Sequence, residues 1–118
     1  MAAPNIVNVA TITGKTAYAQ LTTTLSNVIT NSSTSGNVIK LNDVLVANYT
    51  TSSIQANVAV GRGASNFYIA GNMSVPGNST LVVTAKDVFI YMEEGDYLLA
   101  NASSATAAQI ICSYEVIA

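Results

Sequence analysis

Short runs in which apolar and polar residues alternate recur along the chain, and this pattern constrains its fold more than any other feature. In "IQANVAVGRG", Ile54, Ala56, Val58 and Val60 share one parity, with Gln55 among the residues between them. Successive side chains of a strand point to opposite faces of a sheet, so such a run predicts a strand with one buried face. Runs of this kind, separated by turn residues, predict about eight to ten strands.

Two local features refine the pattern. In "NVIKLNDVLVANYT", Ile39 and Leu41 share one face, and the parity shifts at Asn42 and Asp43 so that Val44 continues the apolar face. Such a shift predicts a β-bulge or a change of strand. The segment "GRGAS" joins two alternating runs and predicts an antiparallel hairpin. The remaining chain, from "STLVVT" to "CSYEVIA", predicts a meander of four strands separated by "AKD", "EEGD" and "ASSATA".

Composition supports the same fold class. Half of the 118 residues are hydrophobic and only 8% are charged, a balance that excludes ordinary disorder. Val, Ile, Thr and Tyr suit a pleated surface, and no segment has a helical apolar stripe. We therefore expect an all-β protein, a jelly-roll-like β-sandwich. Residues 1–118 should form a single domain, in which residues 1–9 are an extended N-terminal arm.

The charge pattern and the lengths of the apolar runs exclude two classes of partner, nucleic acids and membranes. The four cations, Lys15, Lys40, Arg62 and Lys86, are scattered, and the formal net charge is −2, so we expect no nucleic-acid binding. No apolar run approaches the roughly 18 residues that span a bilayer, so we expect no membrane association. "MAAPNIVNVA" lacks the pattern of a signal peptide, and we expect synthesis in a cytoplasm.

The residue types that carry most enzyme chemistry are missing. The sequence has no histidine and a single cysteine, Cys112, which excludes Ser-His-Asp and Cys-His nucleophile systems and a zinc cluster. Cys112 lies in an apolar alternating run and should be a small buried hydrophobe. We expect no enzymatic activity, no catalytic residue, no metal and no cofactor.

One segment concentrates acidic residues. In "VFIYMEEGDYLLANASS", Glu93, Glu94 and Asp96 surround Gly95 and make up half of the six acidic residues. The segment separates two apolar runs, where a tight turn belongs, and glycine supplies the positive φ that such turns need. We expect a structural turn formed by Glu93, Glu94, Gly95 and Asp96, with both glutamates directed to solvent. The alternative is a weak cation site, although three carboxylates fall short of a calcium loop.

The low charge content points to an assembly. A typical soluble chain carries roughly 25% charged residues, so neighbours are expected to cover part of the apolar surface of this one. A small ligand- or carbohydrate-binding β-sandwich is the alternative. A sugar platform needs exposed aromatic rings, and the chain has no tryptophan. Five tyrosines fall within strand runs where packing is expected to use them: Tyr18, Tyr68, Tyr91, Tyr97 and Tyr114. Only Tyr49 is expected to be available.

Three stretches carry a resemblance to a known group of proteins: "MAAPNIVNVATITGKTAYAQLTTT", "VPGNSTLVVTAKDVFIYMEEGDYLLANAS" and "IICSYEVIA", the last containing Tyr114 and Glu115. They resemble small virion structural proteins of tailed bacteriophages, especially those of marine and cyanobacterial hosts. The resemblance implies a β-sandwich in the virion that coats or connects its parts. A capsid decoration, or cement, protein is favoured, and a neck, tail or fibre-attachment component is the alternative. The resemblance carries no catalytic residue.

The expected partners follow from this resemblance and from the N-terminal segment. They are the major capsid protein or other virion proteins, together with further copies of the chain, most simply as a trimer on local three-fold axes of a capsid. The apolar start of the chain has no obvious hairpin partner, so we expect it to add a strand to a neighbouring subunit. The residues expected at this subunit or capsid interface are Pro4, Asn5, Ile6, Val7 and Val9.

Overall fold

A computed structural model describes residues 10–118 of the chain, except for the side chain of Lys86. Nine strands alternate with short turns. They are β1 (Ile12–Gln20), β2 (Ser26–Thr30), β3 (Val38–Asn48), β4 (Ile54–Arg62), β5 (Ser65–Val75), β6 (Ser79–Thr84), β7 (Ile90–Met92), β8 (Asp96–Ala102) and β9 (Ala108–Ile117). The helical structure in this part of the chain is one 3-10 turn, Lys86–Val88. None of its helices is long and apolar enough to cross a membrane.

The strands form two antiparallel sheets, so the all-β prediction is confirmed. The five-stranded sheet has the order β1-β9-β3-β6, and β7 also pairs with β3. The four-stranded sheet has the order β2-β8-β4-β5. The predicted extended arm, residues 1–9, lies outside the described residues.

The strand pairs are nested around one hairpin. β4 pairs with β5, β3 with β6 and β7, β2 with β8, and β1 with β9, so each pair encloses the previous one along the chain. The innermost turn is residues 63–64, and Gly63 has φ +62°, as the first central residue of a type II′ hairpin turn requires. The hairpin predicted at "GRGAS" is confirmed. At the outer end, Ala118 N donates to Thr11 O at 2.9 Å.

The predicted parity shift in β3 is also confirmed. The register between β3 and β9 shifts between Leu41 and Asp43, and Leu41 and Val44 are both completely buried. The extra residue in this β-bulge returns the apolar side chains to the same face, because side chains alternate strictly along an unbroken strand. β3 can therefore contribute to the core along its whole length of 11 residues.

Both sheets contribute to one hydrophobic core. Its buried side chains include Leu41, Val44, Val46, Ile110 and Cys112 from the five-stranded sheet, and Ala56, Val58, Leu98 and Ala100 from the four-stranded sheet. Burial of a Val or Leu side chain stabilises a fold by about 1.5 to 3 kcal/mol. Cys112 is buried as predicted, and burial raises the pKa of its thiol to about 12. The thiol is therefore protonated and unreactive at neutral pH.

The prediction of a C-terminal meander is wrong. β6, β7 and β9 belong to the five-stranded sheet, whereas β8 crosses to the other sheet and lies between β2 and β4. Alternation identifies the strands and their buried faces, but it carries no information on which strands become neighbours. The crossing at β8 begins at the acidic turn, which therefore joins the two sheets.

Candidate docking site beside the acidic turn

The acidic segment forms the turn between β7 and β8. Asp96 N donates to Glu93 O at 3.0 Å, and Gly95 N donates to Asn31 O at 2.8 Å. Gly95 has φ +89°, a left-handed conformation that a side chain would strain. The turn thus depends on glycine at this position, and its backbone is bound to the loop that follows β2.

Asp96 is the central acceptor of this turn. Its side chain is 2% exposed and accepts hydrogen bonds from Arg62 Nε at 2.7 Å, Arg62 Nη2 at 2.8 Å and Glu93 N at 2.9 Å. The hydrogen bonds from Arg62 hold the pKa of Asp96 below its usual range, against the opposing effect of burial. Asp96 is therefore a structural carboxylate that is ionised at neutral pH and joins the first residue of β8 to the last residue of β4.

The two glutamates have different partners. Glu93 is exposed and its Oε2 lies 2.8 Å from Arg62 Nη2. Glu94 is half-buried, and its Oε2 accepts a hydrogen bond from Gly36 N at 2.9 Å. The expectation that both glutamates point freely to solvent is wrong, because the loop after β2 packs close enough to use Glu94 as an acceptor.

The three carboxylates of the turn all have partners within the chain. Within residues 10–118, no group of three or more His, Cys, Asp or Glu side chains is placed to hold a metal ion. Two of the three carboxylates of the turn, Glu93 and Asp96, already form ion pairs with the single positive charge of Arg62. The cluster is an ion-pair network that fixes a turn.

An exposed aromatic surface lies next to this ion-pair network. Phe67 of β5 and Tyr91 of β7 line a hollow of about 180 Å³ together with Arg62 and Asp96. The ring of Phe89 meets that of Tyr91 edge to face, with centroids 5.3 Å apart. We call the side chains of Phe67, Phe89 and Tyr91 the aromatic patch.

The side chains of the aromatic patch are substantially exposed. Phe67 is 66% exposed, Phe89 is 43% exposed and Tyr91 is 38% exposed. Lys40 Nζ lies 4.4 Å from the centroid of the Phe89 ring, so the patch also carries a cation–π contact. Contiguous apolar side chains with charged neighbours are typical of protein-interaction surfaces.

Sequence reasoning missed this patch because it assigned strand tyrosines to packing. Tyr18, Tyr68 and Tyr91 are all exposed, so that part of the argument is wrong, whereas Tyr97 and Tyr114 are half-buried and Tyr49 is exposed as expected. Alternation predicts which face of a strand a residue occupies, but not whether another element covers that face. The signal that could have found the patch is "DVFIYM", which places apolar residues on both parities of a short strand.

The sequence also predicts an interface in the N-terminal segment. Pro4, Asn5, Ile6, Val7 and Val9 lie outside the described residues. The first described strand, β1, pairs with β9 along one edge, and its Lys15 is exposed.

No protein-family model matches the sequence, and the search of curated proteins found no match to it.

Proposed function

We propose that the chain is a structural protein of a bacteriophage virion, made in the host cytoplasm, and that it binds the outer surface of the capsid as a decoration protein. The observation that carries this proposal is the aromatic patch, an exposed apolar surface beside an arginine that is already charge-paired. The resemblance at both ends of the chain and the charge content of 8% support the same role. A neck, tail or fibre-attachment position is the alternative within the virion.

We infer further that the two sheets form a jelly roll. A jelly roll is a single antiparallel ribbon folded over into two sheets, so that its strand pairs are nested and alternate between the sheets. The pairs β1–β9 and β3–β6 lie in one sheet, and β2–β8 and β4–β5 lie in the other, which supports this topology. Such a scaffold presents its loops and edges at the surface and suits a coat component.

The chemistry of the aromatic patch favours a protein partner. Aromatic and arginine side chains contribute a large share of the binding energy in protein interfaces. Aromatic rings do so because they bury much area with few rotatable bonds. The charge of Arg62 is compensated by Asp96 and Glu93 within the chain, so burial of this surface need not leave an unpaired cation. The attachment should therefore depend on apolar contact and vary little with salt.

We propose that the protein acts as a homo-oligomer, most simply a trimer, with the major capsid protein as its main partner. Several weak patches on one oligomer gain avidity when a symmetric shell presents matching sites. The extended arm of residues 1–9 belongs to the same proposal, as a strand that pairs with a neighbouring subunit and includes Pro4, Asn5, Ile6, Val7 and Val9. The arm leads into β1, a strand at the edge of its sheet.

Copy number tests the location. Purified virions would be analysed by quantitative mass spectrometry, and the chain would be counted against the major capsid protein. Decoration of a shell predicts hundreds of copies per particle, since each local symmetry axis supplies a site, whereas a neck, tail or baseplate ring predicts about six or twelve. A count near the smaller numbers would reject capsid decoration and favour the alternative.

A pair of variants tests the aromatic patch itself. Phe67→Ser combined with Phe89→Ser should weaken rebinding to stripped particles by at least about tenfold, because each substitution removes a large apolar contact. Tyr68→Ser is the matched control. Tyr68 is exposed and follows Phe67 in β5, but it is paired with Ala59, and successive side chains of a strand point to opposite faces of the sheet. Melting curves would establish that all variants are folded. Equal rebinding of the double variant and the control would refute the docking role of the patch.

A further inference from the structure

A groove lies at one edge of the five-stranded sheet, far along the chain from the aromatic patch. It has a volume of about 450 Å³ and is lined by Tyr18, Ala19 and Gln20 of β1 and by Gln109 and Ile111 of β9. This volume is within the range of roughly 300 to 1,000 Å³ that is typical of small-molecule sites. Nothing in the proposed virion role uses these residues.

Tyr18 supplies the apolar side of this groove. Its side chain is 77% exposed, the largest value among the exposed large hydrophobic residues of the described chain. Tyr18 is directly opposite Ile111 in the β1–β9 pairing, and Ile111 is itself 43% exposed. The two side chains therefore project from the same face of the sheet, because directly paired residues share a face. A flat ring on a rigid strand can stack on an apolar ligand face.

The two glutamines supply the polar side, and Gln20 is held in place by hydrogen bonds. Its Nε2 donates to Ala108 O at 2.8 Å, and its Oε1 accepts from Tyr49 Oη at 3.0 Å and from Gln109 Nε2 at 3.4 Å. Within residues 10–118, no side-chain hydrogen bond uses Oε1 of Gln109, whose Nε2 donates to Gln20. The amide of Gln109 and the hydroxyl of Tyr49 thus keep donor and acceptor capacity for a ligand.

The groove has no charged residue in its lining. An anionic or cationic ligand would gain no compensating charge there, so the site favours a neutral molecule. A sugar ring combines an apolar face of C–H groups with hydroxyl groups that both donate and accept, which matches an exposed tyrosine beside fixed amides. We propose that this groove binds a neutral saccharide, with Tyr18 stacking on the ring and Gln109 binding its hydroxyl groups.

NMR titration of the isotope-labelled whole chain tests this proposal directly. The probes are glucose, galactose, mannose and N-acetylglucosamine, together with their di- and trisaccharides. Binding of at least one probe should shift the side-chain amide signals of Gln20 and Gln109 and the backbone signal of Ile111 in a saturable manner. The dissociation constant should be about 0.1 to 10 mM, as expected for a shallow site with few contacts.

Variants connect those shifts to the groove. Tyr18→Ala and Gln109→Ala should each weaken binding by about tenfold or more, whereas Tyr18→Phe should retain most of it because the ring is kept. Tyr68→Ala is the control, since Tyr68 is an exposed strand tyrosine of the other sheet. Heteronuclear spectra of each variant establish that it is folded.

Three results would overturn the proposal. The first is the absence of saturable shifts with every probe at about 100 mM, roughly ten times the upper end of the expected dissociation constant. The second is equal binding by the wild type and by Tyr18→Ala. The third is a change of oligomeric state in Tyr18→Ala without saccharide binding by the wild type, which would make the groove a contact between copies of the chain. None of these results bears on the copy-number test of the virion role.

Discussion

Arg62 and Asp96 face each other across the β4–β8 pairing and are joined by two hydrogen bonds of 2.7 and 2.8 Å. The guanidinium is largely exposed, whereas the carboxylate is buried. The pair lies at the end of the four-stranded sheet where the chain enters it from β7. The acidic turn, the central hairpin and the aromatic patch all meet at this contact.

The Arg62–Asp96 pair predicts an acid-sensitive fold. The pKa of Asp96 is lower in the folded chain than the unfolded value of about 3.9. Its contribution to stability is therefore complete above about pH 4 and is lost as the pH falls through the lower folded value. Asp96→Asn should lower the free energy of unfolding by about 2 kcal/mol at pH 7, because Glu93 N and Arg62 lose a charged acceptor. The free energy of unfolding of this variant should also fall less steeply than that of the wild type as the pH is lowered below about 4. Urea unfolding from pH 2 to pH 7 measures both effects. Asp87→Asn, at an exposed acid, is the control, and an equal loss there would contradict this account.

The acidic turn predicts different costs for neighbouring positions. Gly95→Ala should destabilise the fold by about 1 to 2 kcal/mol, because alanine is strained at φ +89°. Gly14→Ala is the matched control, since Gly14 has open space around it. Glu94→Gln should be nearly neutral and Glu94→Ala costlier, because glutamine still offers an acceptor to Gly36 N. Thermal melts with and without about 5 mM calcium complete the test, and a clear rise of Tm with calcium would support a cation site instead.

A buried asparagine predicts a large loss. Asn48, at the end of β3, donates from Nδ2 to Ser52 O at 2.8 Å and to Val75 O at 3.0 Å, and its Oδ1 accepts from Thr50 N at 3.0 Å. Asn48→Ala leaves these backbone groups without partners in a buried site, which should cost about 2 to 3 kcal/mol. Denaturant unfolding measures the change. Asn66→Ala, at an exposed position of β5, should change stability by less than about 0.5 kcal/mol, and similar losses at both positions would refute the assignment.

A glycine under a tyrosine ring predicts coupling between two positions. A β-carbon on Gly61 would overlap the Tyr97 ring, and Tyr97 Oη donates to Gly63 O at 2.6 Å. Gly61→Ala should therefore displace the ring and cost about 1 to 3 kcal/mol. The same substitution in a Tyr97→Ala background should cost much less. A double-mutant cycle on unfolding free energies measures this coupling, and additive effects would show that the ring and the glycine are independent.

The elements that the sequence predicts correctly are those set by neighbouring residues. The bulge between Leu41 and Asp43 follows from a parity shift, and the central hairpin follows from glycine between two alternating runs. The positive φ of Gly95 follows from its place in a polar break between apolar strands. Each of these features depends on a few residues that are close along the chain.

The features that escape sequence reasoning depend on residues far apart. Arg62 and Asp96 are separated by 34 positions, and nothing in either segment identifies the other as its partner. The position of β8 in the second sheet escapes for the same reason. The exposure of Tyr18 and of the aromatic patch depends on which elements cover which faces of the sheets. The alternation of apolar and polar residues carries no information on this. A buried Asn48 in the polar run "ANYTTSS" is also indistinguishable from a loop residue.

The nested arrangement of the strand pairs has a consequence for the order of folding. Once the turn at residues 63–64 has formed, each further strand pair needs to close only a short additional loop. The conformational entropy of the long segment between β1 and β9 is therefore lost in several small steps. We expect the central hairpin to be structured in the transition state and β1 to dock last. Substitution of Gly63, at φ +62°, by valine should therefore slow folding. Ala17→Gly in β1 should mainly accelerate unfolding, and stopped-flow kinetics in urea would resolve the two limbs. A slower folding rate for Ala17→Gly would place β1 in the nucleus, so that the chain would fold from its ends inward rather than outward from its middle.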